Sequence, residues 1–439
     1  RPLALEVSGD LGGGLGGGLG GDLGGDLTVA IRGDRVPLRA LAALAPAGLV
    51  LGDARATGAV TLRRRAGDRR ASPWDALELS GDAALDGLVV DHPAFAPAPA
   101  PLSGRLHGEA TISRDAIAWT GGGLELGAAR LSATGWLRRG AALAGQIDLR
   151  LATAPCARLF TSLPPELRGP LDGMALDGSL GARLRLAIDL GAPAGEGVSL
   201  EGGLEGACGA SAEPPAADVT ALAAAGEQRL LDGSRRRVGP GAPDHVALRS
   251  LPRHVPAAFV SAEDARFYDH AGFDLGQIAR SLELDLRERR LARGGSTISQ
   301  QLVKNAFLSP RKRLDRKLHE AVLAWRLEAR LGKREILERY LNVIELGPRV
   351  FGLGPAARHW FDRPARRLTV RQAAFLAALA SQPATMSRRV RRAGGLDPES
   401  AERVAHVLRA MRAEGTLSAE ELEDALAAPL RLAPPALAE

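Results

Sequence analysis

Residues able to hold an anion crowd together in Gly294-Gly-Ser-Thr-Ile-Ser-Gln-Gln-Leu-Val-Lys-Asn305. Two glycines lead through Ser296 and Thr297 into a helix that opens with glutamine and lysine. A glycine-rich approach to a helix N-terminus collects free N–H groups at the positive end of the dipole, a ready place for a phosphate. Thr297 and Gln300 stand in capping-box register. Gln301, Lys304 and Asn305 share one helix face at i, i+3, i+4. The carboxylate pair Glu263-Asp264 lies upstream, and Arg316, Lys317 and Glu320 lie downstream. Together these residues read as a site for a phosphorylated substrate with an acid/base carboxylate beside it.

The charge balance narrows what such a site faces. The chain of 439 residues has a net charge of +6. Residues 251–350 hold nineteen Lys+Arg against thirteen Asp+Glu, so this one segment accounts for the whole excess. It must face something anionic: a phospholipid surface, a pyrophosphate, or both. Aromatic residues make up only 4% of the chain, too few for the stacking platforms of single-strand nucleic-acid binders. No His, Cys and carboxylate cluster has the spacing of a protein-only metal site. No window reaches the roughly 18 apolar residues of a membrane-spanning helix. The nearest run, Ala40 to Gly52, is interrupted by Pro46. Because the chain starts at Arg1, an N-terminal anchor or signal is expected to lie outside it. Cys156 and Cys208 allow one disulfide or two buried thiols.

The elements that position these groups change character along the chain, which reads as multidomain α+β. Residues 1–26 form a low-complexity segment with leucines at 11, 15, 19 and 23 between Gly and Asp, expected to be flexible or strand-like because glycine opposes helix. From 27 to 209 the period is two, as in Ile147, Leu149 and Leu151, or Ala182 through Leu190. This pattern predicts half-buried antiparallel strands in a curved sheet or open sandwich, with turns at Ser80-Gly-Asp82 and Thr120-Gly-Gly-Gly123 and a helical interruption over Ala154–Pro170. This β-rich region loosely resembles the repetitive sheet domains of bacterial AsmA-type envelope proteins. Residues 210–244 read as a linker. After His254 the period turns helical, with Leu318, Ala321, Val322, Trp325 and Ala329 as one apolar stripe. Capping boxes at Thr369/Gln372 and Ser418/Glu421, and the pair Asp397-Pro398, mark three more helix starts.

Five motifs then carry a specific resemblance. Glu263-Asp-Ala-Arg-Phe-Tyr-Asp-His-Ala-Gly-Phe-Asp274, Gly294 to Asn305, Arg316-Lys-Leu-His-Glu320, Ile336-Leu-Glu-Arg-Tyr-Leu-Asn342, and Gly352 to Phe361 with Leu368 to Pro383 resemble, in order and spacing, the peptidoglycan glycosyltransferases. These are the transglycosylase module of class A penicillin-binding proteins and its monofunctional relatives. The resemblance covers about 245–390, leaving 391–439 as a C-terminal helical extension. It implies a mainly α, lysozyme-like domain that polymerises lipid II into β-1,4 glycan strands at the periplasmic face of the bacterial inner membrane, releasing undecaprenyl pyrophosphate. Glu263 takes the place of the base. Asp264, Ser296, Thr297, Gln301, Lys304, Asn305, Arg316 and Lys317 take substrate-binding places. Glu320 takes a supporting place with the phosphates, which leaves open a divalent cation, Mg or Mn, and no other cofactor. The implied partners are lipid II, the lipid-linked strand, a membrane surface and other cell-wall synthesis proteins, with no nucleic acid. Glu338, Tyr340 and Asn342 are expected to brace the core, and His270 to be a structural hydrogen-bonding group. Arg287, Arg289, Arg290 and Arg293 are expected to contact anionic lipid. Two departures stand out: Trp360-Phe361-Asp362-Arg363 replaces the family's Tyr-Phe-Gly-Lys, and Ser381-Gln382-Pro383 lacks the family's lysine, for which Arg388 or Arg389 could substitute. Two rival readings are a non-catalytic envelope scaffold or lipid-binding protein with a degenerate transglycosylase domain, its β-rich domain binding lipid or a partner, and a lysozyme-like hydrolase.

Overall fold

A computed structural model describes residues 3–9, 26–39, 49–64, 77–92, 94–222, 224–230, 232–289, 295–307 and 314–434. The leucines at 11, 15, 19 and 23, most of the run Ala40–Gly52, and Arg290, Arg293 and Gly294 fall outside the described residues. The chain divides into two compact units. One is Arg1–Pro214 with Ile278–Gly294 and Arg313–Asp315, and the other is the remainder.

The first unit is built on a single antiparallel sheet. Its strands are β1 (Leu3–Gly9), β2 (Leu27–Pro37), β3 (Leu49–Val50), β4 (Arg55–Arg64), β5 (Leu77–Val90), β6 (Ala100–Ile112), β7 (Ala116–Leu126), β8 (Ala129–Arg139), β9 (Leu143–Pro155), β10 (Ala175–Asp189) and β11 (Val198–Ala212). Each pairs with its neighbour in sequence, except that β2 pairs with β4 and the short β3 lies against β5. The period-two reading is therefore correct, and the sheet is one layer rather than an open sandwich. Both expected turns are strand interiors. Ser80–Asp82 lies within β5, and Thr120–Gly123 lies within β7 at a register irregularity between Trp119 and Gly122. Glycine there serves close packing: a Cβ on Gly81 would stand 3.3 Å from the Ala59 carbonyl. The helical interruption is present as α1 (Cys156–Thr161) and α2 (Pro165–Arg168). Cys156 and Cys208 are disulfide-bonded, tying the start of α1 to β11.

The second unit is helical after a small hairpin, β12 (Gly226–Arg229) and β13 (Arg235–Val238). The hairpin occupies part of the expected linker and is anchored, since Arg236 Nη1 donates to the Phe351 carbonyl at 2.6 Å. Its helices are α3 (His254–Glu263), α4 (Leu275–Glu288, shared with the first unit), α5 (Ile298–Phe307), α6 (Leu314–Arg330), α7 (Lys333–Val343), α8 (Leu353–Phe361), α9 (Val370–Ser381), α10 (Pro383–Ala393), α11 (Pro398–Ala413) and α12 (Ala419–Ala427). Helix α9 is buried from Gln372 to Ala380, as expected for a core helix apolar on all sides, and α3 and α11 pack on it. The capping boxes at Thr369 and Ser418 form, and Asp397 caps α11. On α6 the buried face is not the expected one. His319, Glu320, Leu323, Ala324, Arg326 and Leu327 are buried, whereas Leu318, Ala321, Val322 and Trp325 are half-buried and Ala329 is exposed. The buried stripe carries Glu320 and Arg326 among apolar residues, while Lys317 and Arg330 are exposed.

Candidate active site

Glu263 is the last residue of α3, and its neighbour Asp264 leaves the helix in an extended conformation. Asp264 is 1% exposed. One of its oxygens accepts from the Ile298 N–H at 3.0 Å, and the other pairs with His270 Nε2 at 2.9 Å. It thus holds the first free N–H of α5 against the end of α3. A carboxylate at a helix N-terminus is favoured by both the orphan N–H and the dipole. Thr297 is fully buried, and its hydroxyl donates to the Gly272 carbonyl at 2.8 Å, while its N–H donates to Gln300 Oε1 at 3.0 Å. Asp264 and Thr297, expected to touch substrate, bond to the Ile298 N–H, the His270 ring, the Gly272 carbonyl and the Gln300 side chain. These bonds position the start of α5 against the end of α3.

That clamp sets Gln301 beside Glu263. Gln301 Nε2 donates to Glu263 Oε2 at 2.7 Å, and Tyr340 Oη donates to Gln301 Oε1 at 3.4 Å. The tyrosine fixes which end of the amide faces the carboxylate. Burial, with Glu263 and Asp264 nearby, holds the Tyr340 hydroxyl well above the usual phenol range, so it remains a donor. Gln277 Nε2 donates to the Glu263 carbonyl at 2.9 Å. Gln277 was not singled out from the sequence, although its own N–H bonds to Asp274 at 3.0 Å and the spacing Asp274-x-x-Gln277 is a legible helix start.

Across from Glu263 stand the cations. Lys317 Nζ donates to Glu320 Oε2 at 2.6 Å and to Ser296 Oγ at 3.0 Å, and Arg316 Nε lies 3.5 Å from Glu320 Oε1. Glu320 is 1% exposed, so it acts as a buried anchor between two basic groups. Lys304 is pushed below the ordinary lysine range by burial, with Arg316 and Lys317 adding to the effect and Glu320 and Glu263 opposing it. Glu263 and the three cations therefore share one electrostatic neighbourhood. Asn305 is 3% exposed, and neither side-chain polar atom finds a partner among the described residues. A buried amide left open in this way, beside concentrated positive charge, suits an incoming oxyanion.

A divalent cation is a poor fit to these residues. Among the described residues no three His, Cys, Asp or Glu side chains converge, and Glu320 already faces Lys317 and Arg316.

The Transglycosylase family model matches residues 236–412, which span every residue of this site. The chain is 45% identical over 156 residues to the biosynthetic peptidoglycan transglycosylase of Dechloromonas aromatica, covering 36% of this chain and 67% of that protein. The chain belongs to the peptidoglycan transglycosylase family. It is also 49% identical over 138 residues to the biosynthetic peptidoglycan transglycosylase of Nitrosomonas eutropha, covering 31% of this chain and 57% of that one. Penicillin-binding protein 1A of Aquifex aeolicus is 39% identical over 187 residues, covering 42% of this chain and 25% of that one. The chain spans somewhat over half the length of the first two transglycosylases it matches, 57% and 60%.

The departures in the fifth motif have structural roles in this chain. Trp360 is fully buried, its indole N–H donating to the Leu346 carbonyl at 2.7 Å, and Asp362 takes the left-handed position that ends α8. Arg389 does not stand in for the missing lysine: it is held by Asp397 at 3.5 Å and by Glu399.

Proposed function

We propose that the second unit is a lysozyme-like peptidoglycan glycosyltransferase, with residues 245–390 as its catalytic core, and that it polymerises lipid II into β-1,4-linked glycan strands with release of undecaprenyl pyrophosphate. The observation that carries this reading is Glu263, oriented by Gln301 and within electrostatic reach of Lys304, which sits with Arg316 and Lys317. A sugar 4-hydroxyl is a weak nucleophile, and Glu263 takes its proton as the oxygen attacks the anomeric carbon of the donor. The anomeric carbon–oxygen bond to the diphosphate breaks, and the leaving group departs as a diphosphate anion. Lys304, Arg316, Lys317 and the Asn305 amide receive that charge. A hydrolase would use a carboxylate but has no diphosphate to hold, so the cation cluster favours transfer over hydrolysis.

The reaction is placed at the periplasmic face of the inner membrane. The disulfide between Cys156 and Cys208 supports an oxidising compartment. Among the described residues no helix is long and apolar enough to cross a membrane. The test is polymerisation of labelled lipid II by the purified chain and by Glu263→Gln. The substitution should lower the rate by about 10²–10⁴-fold without weakening lipid II binding. Retained polymerisation by the variant removes Glu263 from the mechanism, and shortened strands in place of lengthened ones turn the reading to hydrolysis.

A further inference from the structure

The first unit carries a surface that its own described residues do not cover. Register places Leu5, Ile31, Val60, Gly81 and Gly108 side by side across β1, β2, β4, β5 and β6, and Leu106, Leu124, Leu131, Leu151, Ala182 and Leu204 across β6 to β11. All lie on one face of the sheet. Large side chains there stay open to solvent: Leu5 is 63% exposed, Leu204 72% and Leu106 46%. The opposite face is ionic, crossed by Arg105–Asp82 at 2.8 Å, Arg183–Glu205 at 2.8 Å and Arg185–Asp148 at 2.6 Å. A sheet with one face in water ordinarily buries the other.

At the β8–β11 end this apolar face is covered, and by α4. Ala279, Leu282 and Leu286 pack on Leu137, Leu143, Leu186, Ile188, Val198 and Leu200. Arg287 is used to fasten the helix, with Nε on Glu283 at 2.8 Å and its terminal nitrogens on the carbonyls of Leu190 and Ala192. It is therefore not the lipid-facing residue expected from the sequence. Beside this contact lies a cavity of about 780 Å³ lined by Leu143, Leu190 and Leu286, with Arg139 and Arg289 exposed at it.

We infer that the open apolar face binds the hydrocarbon chain of a polyprenyl phosphate lipid, with the phosphate at Arg139 and Arg289. Three features select this occupant. The face offers hydrocarbon and glycine, whereas a protein interface of this extent would present hydrogen-bonding groups as well. Glycines at 81, 108, 122 and 135 add no side chains of their own to the face, and the Trp119 ring lies over Gly135. Ten strands at about 4.8 Å spacing extend for roughly 45 Å. One leaflet's hydrocarbon is about 15 Å deep, so a phospholipid acyl chain is shorter than this span, whereas a long polyprenyl chain can follow it past the part that α4 covers. The choice of a polyprenyl chain rests on the proposed glycosyltransferase reading, since the same chain would then use lipids of that class.

The experiment is photolabelling of the full chain with a diazirine-bearing polyprenyl phosphate, mapped by mass spectrometry. Labels should fall on apolar-face residues of β5–β9, including Trp119. Leu106→Glu with Leu131→Glu, both at exposed positions, should cut labelling about tenfold by setting charge against hydrocarbon, with an unchanged thermal transition. Arg139→Ala should weaken capture of the phosphate probe but not of the corresponding free polyprenol. Glu263→Gln should label like wild type, so a failed polymerase reading leaves this result standing. Labels spread over both sheet faces, or equal capture of a phosphatidylglycerol probe carrying the same photoreactive group, would overturn the inference.

Discussion

Lys304 offers a test in which activity and stability should move in opposite directions. It sits with Arg316 and Lys317, and burial pushes its ammonium below the ordinary lysine range while Glu320 and Glu263 pull it back. Without a bound anion, the folded protein holds this charge at a cost. Replacing it in Lys304→Met removes one charge-assisted contact to a diphosphate, about 1.5–3 kcal/mol. At 1.4 kcal/mol per tenfold, kcat/KM for lipid II polymerisation should fall about 10- to 150-fold. The sign for stability follows from linkage. The pKa is lower folded than unfolded, so the unfolded chain binds more protons between the two values and stability rises with pH across that window. Below the window the penalty is present in full. Lys304→Met should therefore unfold at an equal or higher temperature than wild type near pH 7, with the gain shrinking as pH approaches about 10.4. Glu320 keeps Lys317 and Arg316 in the variant, so no buried carboxylate is stranded. The assays are chain-length analysis of glycan from labelled lipid II and thermal melts at two pH values. A variant that lost activity and stability in parallel would refute the reasoning and make Lys304 a structural partner of the two glutamates.

Three further outcomes follow from the same geometry. Asp264→Ala strands His270 and the Ile298 N–H in a buried site and should destabilise the second unit by about 3–5 kcal/mol, read as a lower melting temperature with activity lost through unfolding. Asn305→Ala removes a buried amide that has no partner among the described residues, so the melting temperature should hold or rise while kcat/KM falls by about tenfold, the scale of one hydrogen bond to a charged group. Cys156→Ser with Cys208→Ser opens a loop closed across 52 positions and should cost the sheet unit about 4 kcal/mol on the chain-entropy estimate, seen as a lower denaturant midpoint with catalysis retained.

The site was legible because its parts are local. A capping box, an i, i+3, i+4 face and an i, i+4 Arg–Glu pair are read within a single turn or two, and each of them forms. Reading failed where a residue's partner is remote in sequence. Asp264 was read from the sequence as substrate-binding, and nothing near it in the chain announces its bond to Ile298, 34 positions on. The buried stripe of α6 was assigned to Leu318, Val322 and Trp325 on hydrophobicity alone. The helix instead buries Leu323, Ala324 and Leu327 together with His319 and Glu320, a stripe displaced from the expected one, with Glu320 set beside Arg316 and Lys317. The glycines of β5 and β7 were mistaken for turns for a related reason. Period two tells which residues share a face but not what lies across from them, and Gly81 and Gly122 are small because the neighbouring strand comes close. In the helical unit the residues that broke the local pattern gather around the candidate site, and on the sheet they lie where neighbouring strands come close.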